Sequence, residues 1–427
     1  MNATRKTVLA VTVFVFLSLG IASHLAAAAT VTHLVRGNIT NLEHYRTAAE
    51  AFNRIHPDIR IELELVDANF YVESVQVRLA GGAPPDVIWT AGSFFEQLAL
   101  GGQFVDLGPF ISRAGMDLGA YYPAALEAGV FEGVRYALPY QTHPGVHGLL
   151  YNNDLFAEAG LAPPGDDWTY DGFRDAARAI ARDVTGDGLN DRWGFSVILG
   201  GVESDTMIYS LGGRYVNDEG TESRLASPET IAAYQFFADL VHQYEAAPTP
   251  SQAEWWVPLM TNGNLGMALI GPWHLAGFTP QTVSFDVGVA NIPIGPGGRV
   301  AGGPSTDLYA IINTGEDREA AFEWVRFLTS EEGLRLQTAF LSNPVPINHI
   351  NEFLLERYGE AYEPFIYGMI NGTYRSFRVH NFRGDEARSI IFNGVQPIWT
   401  GQESVVAALQ TADQLLNALL SQPPPSR

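Results

Sequence analysis

The chain has 427 residues, enough for about two or three domains and a sizeable core, and it is 46% apolar and 17% charged, a globular composition and not a disordered one. A formal net charge of −22 excludes nucleic acid and anionic lipid headgroups as partners and suits a soluble protein with a neutral or cationic ligand. With no cysteine, the chain has no disulfides, thiol catalysis, zinc–thiolate sites, iron–sulfur clusters or lipid on an N-terminal cysteine.

The N-terminus reads as an export signal: Arg5 and Lys6, an apolar run from Val8 to Ala22, then Ala26 to Ala29 as an A-x-A type cleavage site. No second apolar run of membrane length follows, so cleavage is expected near Ala29 or Thr30, leaving a periplasmic protein. Val31 to Arg36 then alternates as a first strand. Leu42, Tyr45, Ala49, Phe52 and Ile55 keep helical spacing up to Pro57. "IRIELELV" alternates as a half-buried strand, Tyr71, Val75 and Leu79 mark a helix stopped by "GGAPP", and "DVIWT" is a short buried strand. This order predicts an α/β sheet with crossover connections.

Strand-like stretches follow around Pro139 and Pro144. Thr169 is the expected N-cap of a helix whose stripe is Phe173, Ala176, Ala177 and Ile180. Further elements are a strand at "WGFSVIL", a helix over Ile231–His242, a buried strand before Gly271 and Pro272, a strand in "SFDVGVANIPIGP", and a helix–turn–helix over Arg318–Phe340.

The fragments "AAEAFNRIHPDIRIE", "GGAPPDVIW", "YALPY", "LLYNNDLFAEAGL", "PPGDDWTYDGFRDAARAIARDVTGDGLNDRWGF", "GMALIGPWHL" and "AAFEWVRFLTSEEGLRLQ" follow one another in an order that resembles the solute-binding proteins of ABC importers, in the maltose-binding-like sugar group. The resemblance implies an α/β, two-lobed clamp, each lobe a mixed sheet flanked by helices, with ligand in the cleft. It implies one lobe from residues 30–141 plus 291–341 and another from 142–290 plus 342–427. The implied partners are a carbohydrate, such as a di- or oligosaccharide, and the membrane permease to which a monomer delivers it. It implies no enzymatic activity and no required cofactor.

A sugar site needs aromatic platforms for ring faces and carboxylates, amides or Arg for hydroxyls. Trp273 follows a Gly-Pro at the end of an apolar strand, where open α/β sheets place ligands. Asp86 and Trp89 bracket "DVIW"; Tyr140 and Gln141 precede the first expected crossing. Of the adjacent Trp255 and Trp256, one is expected inside and the other outside or in the cleft. Gly303 and Ser305 lie in a glycine-rich segment that faces ligand in relatives, and Arg375 leads a basic group with Arg378 and His380.

Two other functions fit the same composition. An exported glycoside hydrolase needs paired carboxylates, which the chain has in plenty, but G-x-S-x-G and H-E-x-x-H motifs are absent. A ferric-ion clamp would use the adjacent Tyr121 and Tyr122. The loop "DVTGDGLNDRWGF" admits a structural calcium held by Asp183, Thr185, Asp187, the Leu189 carbonyl and Asp191. It departs from that pattern at Gly194, where a bidentate Glu belongs; the other reading is a loop of Asx turns.

Overall fold

A computed structural model describes residues 28–197, 202–253, 255–299, 305–313, 315, 317–340, 344–371 and 379–424. The expected export signal, Gly303 and Arg375 lie outside these residues. In chain order the strands are β1 (Ala29–Arg36), β2 (Ile59–Val66), β3 (Val87–Thr90), β4 (Val130–Phe131), β5 (Val134–Arg135) and β6 (Ala137–His143). Then come β7 (Gly148–Asn152), β8 (Trp193–Phe195), β9 (Leu265–Ile270), β10 (Val287–Asn291) and β11 (Ser305–Ile311).

They form two mixed sheets and a hairpin: β2-β1-β3-β11-β6, β10-β7-β9-β8, and β4-β5. In the first sheet β1, β2 and β3 are parallel, while β11 runs antiparallel between β3 and β6. Helices cover both faces. Val31, Val35, Tyr309 and Ile311 pack with Phe52, Trp324 and Val325. Leu34, Ile88, Leu308 and Ala310 face Phe94, Leu98 and Phe104 on the other side. The second sheet is likewise sandwiched: Leu149, Met267 and Leu269 meet Phe173 and Phe237, and Leu150, Ala268 and Ile270 meet Trp256, Met260 and Phe365. Burial on both faces is why β3 and β9 read as apolar runs, whereas β2, at the sheet edge, keeps its alternation.

Local signals hold where they were strongest. The Thr169 hydroxyl accepts from the Gly172 N–H at the start of the helix Tyr170–Ile180. Pro139 sits in β6 because that strand is a sheet edge, where a missing N–H costs no ladder bond on the outer side. The register with β11 slips there, from Leu308 opposite Pro139 to Asp307 opposite Gln141, which leaves Tyr140 as the extra residue of a bulge.

The crossings between lobes fall slightly later than expected. β6 keeps Thr142 and His143 on the first sheet, opposite Thr306 and Ser305. The segment after Asn291 stays with the second lobe: Ile294 bridges Thr169, and the Gly297 N–H donates to the Ser210 carbonyl. At the third crossing Val345 and Ile347 belong to the first core, and the Thr142 N–H donates to the Pro344 carbonyl.

The first core holds buried imidazoles. Burial pushes His33 down to about 3, with His44 beside it adding to the effect; burial pushes His44 down to about 4, opposed by its hydrogen bond to the Leu336 backbone. The Trp324 Nε1–H donates to His33 Nδ1 at 3.1 Å, a bond that requires an unprotonated Nδ1. Groups whose folded pKa lies below the ordinary 6.5 stabilise the fold above that pH, and the contribution is lost as pH falls toward 4 and 3. The melting temperature is therefore expected to fall steadily from pH 6.5 to 4, and His44→Phe is expected to show a shallower fall; equal slopes by scanning calorimetry would remove His44 as a cause.

Candidate functional site

The sheet registers bring one edge of each lobe together. The ends of β1, β3 and β6 and the start of β11 share one edge of the first sheet, because β11 is antiparallel to its neighbours. In the second sheet the start of β7 pairs with the end of β9, Gly148 opposite Ile270. The chain passes from His143 to Gly148 between those two edges, so the turn that follows β9 lies beside the end of β6.

That turn carries Trp273. A Cβ on Gly271 would lie 2.4 Å from the Trp273 ring, so the indole folds back into the space that the glycine leaves open. The Gly271 N–H donates to His274 Nδ1 at 3.1 Å and anchors the turn. Trp273 remains 38% exposed and meets His143 edge to face, with ring centroids 5.0 Å apart. Here an aromatic of the second lobe touches the last residue of the first lobe's edge strand.

On the first lobe the edge is polar. The Asp307 side chain is only 13% exposed, yet its carboxylate accepts no hydrogen bond from any described residue; the His143 imidazole lies beside it, with Nε2 at 3.9 Å. Arg36, exposed at the end of β1, lays its guanidinium 4.3 Å from the Trp89 ring centroid and forms no ion pair among the described residues. On the same edge the Ser93 hydroxyl, at the start of the helix Gly92–Leu100, donates to Asp385 at 2.5 Å, in the first turn of the helix Gly384–Trp399. A carboxylate, a guanidinium, an imidazole and an indole face thus border one cleft, a donor-and-acceptor set matched to a polyol with an apolar face.

The residues expected from sequence are distributed unevenly. Trp273, Gln141 and Ser305 come together at this edge, Gln141 opposite Asp307 and Ser305 opposite His143. Trp89 lies one residue inside the edge, beneath Arg36. Tyr140 turns into the core and stacks on Tyr309 with centroids 4.0 Å apart, because the bulge rotates it inward. Trp256 is core, stacked on Phe278, and Trp255 is 59% exposed at the start of a short helix. Asp86 is displaced: it precedes β3, at the far end of the sheet, about 13 Å of strand away from the edge. Its carboxylate accepts the Thr32 N–H at 2.8 Å and works as a strand-end tie.

His143, Asp307 and Arg36 escaped the sequence reading. His143 and Asp307 each lie two positions from a candidate site residue, Gln141 and Ser305, whereas Arg36 ends β1 with no such neighbour in sequence. Tyr121 and Tyr122 do not form a ligand pair, since the buried Tyr121 hydroxyl donates to the Thr329 carbonyl.

In the acidic loop the carboxylates serve the loop's own backbone. Asp183 accepts from the Gly186 and Gly188 N–H groups, Asp187 from Leu189, and Asp191 from Val184 and Thr185. These bonds to the charged form hold the Asp191 carboxyl below the usual carboxylate range. Gly194 cannot be a bidentate Glu: a Cβ there would lie 2.0 Å from the Ala177 carbonyl oxygen of the helix packed on β8. Among the described residues no group of three or more His, Asp or Glu is arranged to hold a metal ion.

Residues 37–334 match the bacterial extracellular solute-binding protein family. The chain belongs to that family. A relative from Brucella abortus (strain 2308), described as a binding protein, is 22% identical over 295 residues, 68% of this chain and 69% of the relative. Among solved structures, an ABC substrate-binding protein from Listeria monocytogenes in complex with cycloalternan has a TM-score of 0.82 at 20% identity, covering 92% of this chain and 99% of that one. A receptor of Streptomyces glaucescens, solved unliganded and with acarbose, has a TM-score of 0.79 at 20% identity over 93% and 99%. A maltose-bound protein of T. maritima has a TM-score of 0.77 at 24% identity over 92% and 100%. At these identities the likeness is one of fold: the two-lobed clamp of extracellular binding proteins. No helix among the described residues is long and apolar enough to cross a membrane.

Removing the indole at the junction of the lobes removes a large apolar contact worth about 2 kcal/mol. Trp273→Ala is therefore expected to weaken ligand binding roughly 30-fold with little change in the melting temperature of the free protein; a titration showing unchanged affinity would place the ligand elsewhere.

Proposed function

We propose that this protein is the extracytoplasmic receptor of an ABC importer for a carbohydrate, a di- or oligosaccharide, which it captures by closing its lobes and delivers, as a monomer, to the membrane permease. The observation that carries this reading is Asp307: a largely shielded carboxylate at the cleft edge, with no hydrogen-bond donor among the described residues, beside an aromatic face contributed by the opposite lobe. A carboxylate largely shielded from water is stabilised by charge-assisted hydrogen bonds, which hydroxyls arriving with the ligand would supply. The structural relatives solved with cycloalternan, acarbose and maltose support the same class of ligand. The protein acts by binding and not by catalysis, in the periplasm, after removal of the signal ahead of Ala29 or Thr30.

The test uses the full chain, exported and recovered from the periplasm, with its new N-terminus sequenced and its tryptophan fluorescence followed against a panel of mono- and oligosaccharides. Saturable quenching and a raised melting temperature are expected, since a ligand of the folded state stabilises it by mass action. Absence of any sugar response, or slow appearance of new reducing ends, would overturn the reading, the latter in favour of hydrolysis.

We propose further that the 183–191 loop needs no ion. Five backbone N–H groups already serve its three carboxylates. EDTA is expected to leave the melting temperature unchanged, whereas Asp183→Ala is expected to lower it by about 2–6 °C through the loss of two hydrogen bonds. A drop on EDTA that calcium reverses would reinstate the ion.

A further inference from the structure

His143 ends β6, it opens the crossing His143–Gly148, it touches Trp273 of the opposite lobe, and it faces Asp307 of its own. Its two ring nitrogens have different duties. The Gly145 N–H, two residues on and within the crossing, donates to Nδ1 at 3.1 Å. Nδ1 is thus an acceptor, which places the proton of the neutral ring on Nε2. That Nε2–H stands 3.9 Å from the Asp307 carboxylate, too far for a direct hydrogen bond and near enough for one hydroxyl oxygen to lie against both. Gly145 has φ +74°, a left-handed turn residue, so the bond to Nδ1 ties the ring to the backbone geometry of the crossing itself.

We propose that His143 is the positioning residue that couples cleft to hinge: neutral, with Gly145 holding Nδ1, it donates from Nε2 to a ligand hydroxyl that in turn donates to Asp307. This rests on the sugar-receptor reading and extends it to a pH response. Among the described residues the charged groups acting on the ring are Asp307 on β11 and Arg36 on β1, and the aromatic ring against it, Trp273, is uncharged. Burial lowers the imidazole below its ordinary value, Asp307 opposes this, and Arg36 reinforces it. Protonation would set an Nδ1–H against the Gly145 N–H, breaking the tie to the crossing. It would also draw the imidazolium onto Asp307 and take that carboxylate from the ligand. Binding therefore needs the deprotonated ring. Affinity is level above pH 6.5 and weakens by up to about tenfold per pH unit below the pKa of His143.

Two measurements test this. The first needs no ligand: nitrogen-15 NMR of the histidine rings in the free protein is expected to show His143 as the Nε2–H tautomer titrating below 6.5. An Nδ1–H tautomer, or titration at or above 6.5, overturns the proposal even if sugars bind. The second takes any oligosaccharide bound by the wild type and measures its Kd from pH 8 to 5 in wild type and His143→Gln. The variant is expected to bind about tenfold more weakly at pH 7.5 and to lose the acid slope, with a free-protein melting temperature near that of the wild type. His33 and His44, at about 3 and about 4, do not titrate in this window. An unchanged acid slope in His143→Gln overturns the coupling and leaves the receptor function intact; a wild type that binds no sugar at any pH overturns both.

Discussion

The architecture turns on one short passage of chain. Between His143 and Gly148 the polypeptide leaves the edge of one sheet and enters the next, and the strand registers on either side determine what meets there. Because Ser305 pairs with His143 and Ile270 is opposite Gly148, the start of β11 and the turn after β9 are drawn to the same place. Asp307 and Trp273 are brought to one cleft by this constraint alone, although they come from different lobes. Moving either register by one residue would turn these side chains to the opposite face of their sheets.

Two exceptions to regular sheet structure sharpen the site. The bulge at Tyr140, beside the N–H-less Pro139, sends that tyrosine into the core and re-aims the three residues that follow. The glycine at 271 leaves a space into which the Trp273 indole folds, so that the ring is braced on one side and open on the other. Binding surfaces of this kind lose little side-chain entropy when ligand arrives, since the ring is already held.

The contact between Ser93 and Asp385 shows the lobes meeting also through two helix starts, away from the crossings. A clamp that closes by hinge bending has to adjust such contacts, and a small polar pair is more readily exchanged for ligand hydroxyls than an apolar seam would be. On this edge Arg36 lies over Trp89 and forms no ion pair among the described residues, so a positive charge stands at the cleft of a chain whose net charge is −22.

The sequence by itself determined the elements, the two-lobed class and the place of Trp273. The elements and the place of Trp273 rest on local periodicity, on caps such as Thr169 and on Gly-Pro punctuation, all of which act within a few residues of chain, whereas the two-lobed class rests on the family resemblance of the ordered fragments. Only the tertiary structure decided that Asp86 is a strand-end tie, that Tyr140 and Trp256 are core, that the acidic loop closes on its own amides, and that His143, Asp307 and Arg36 form the cleft edge. The reason is register. Whether a polar residue ending an apolar strand faces a cleft or a loop depends on the direction and offset of its neighbours in the sheet, and those neighbours lie more than 100 residues away for both His143 and Trp89.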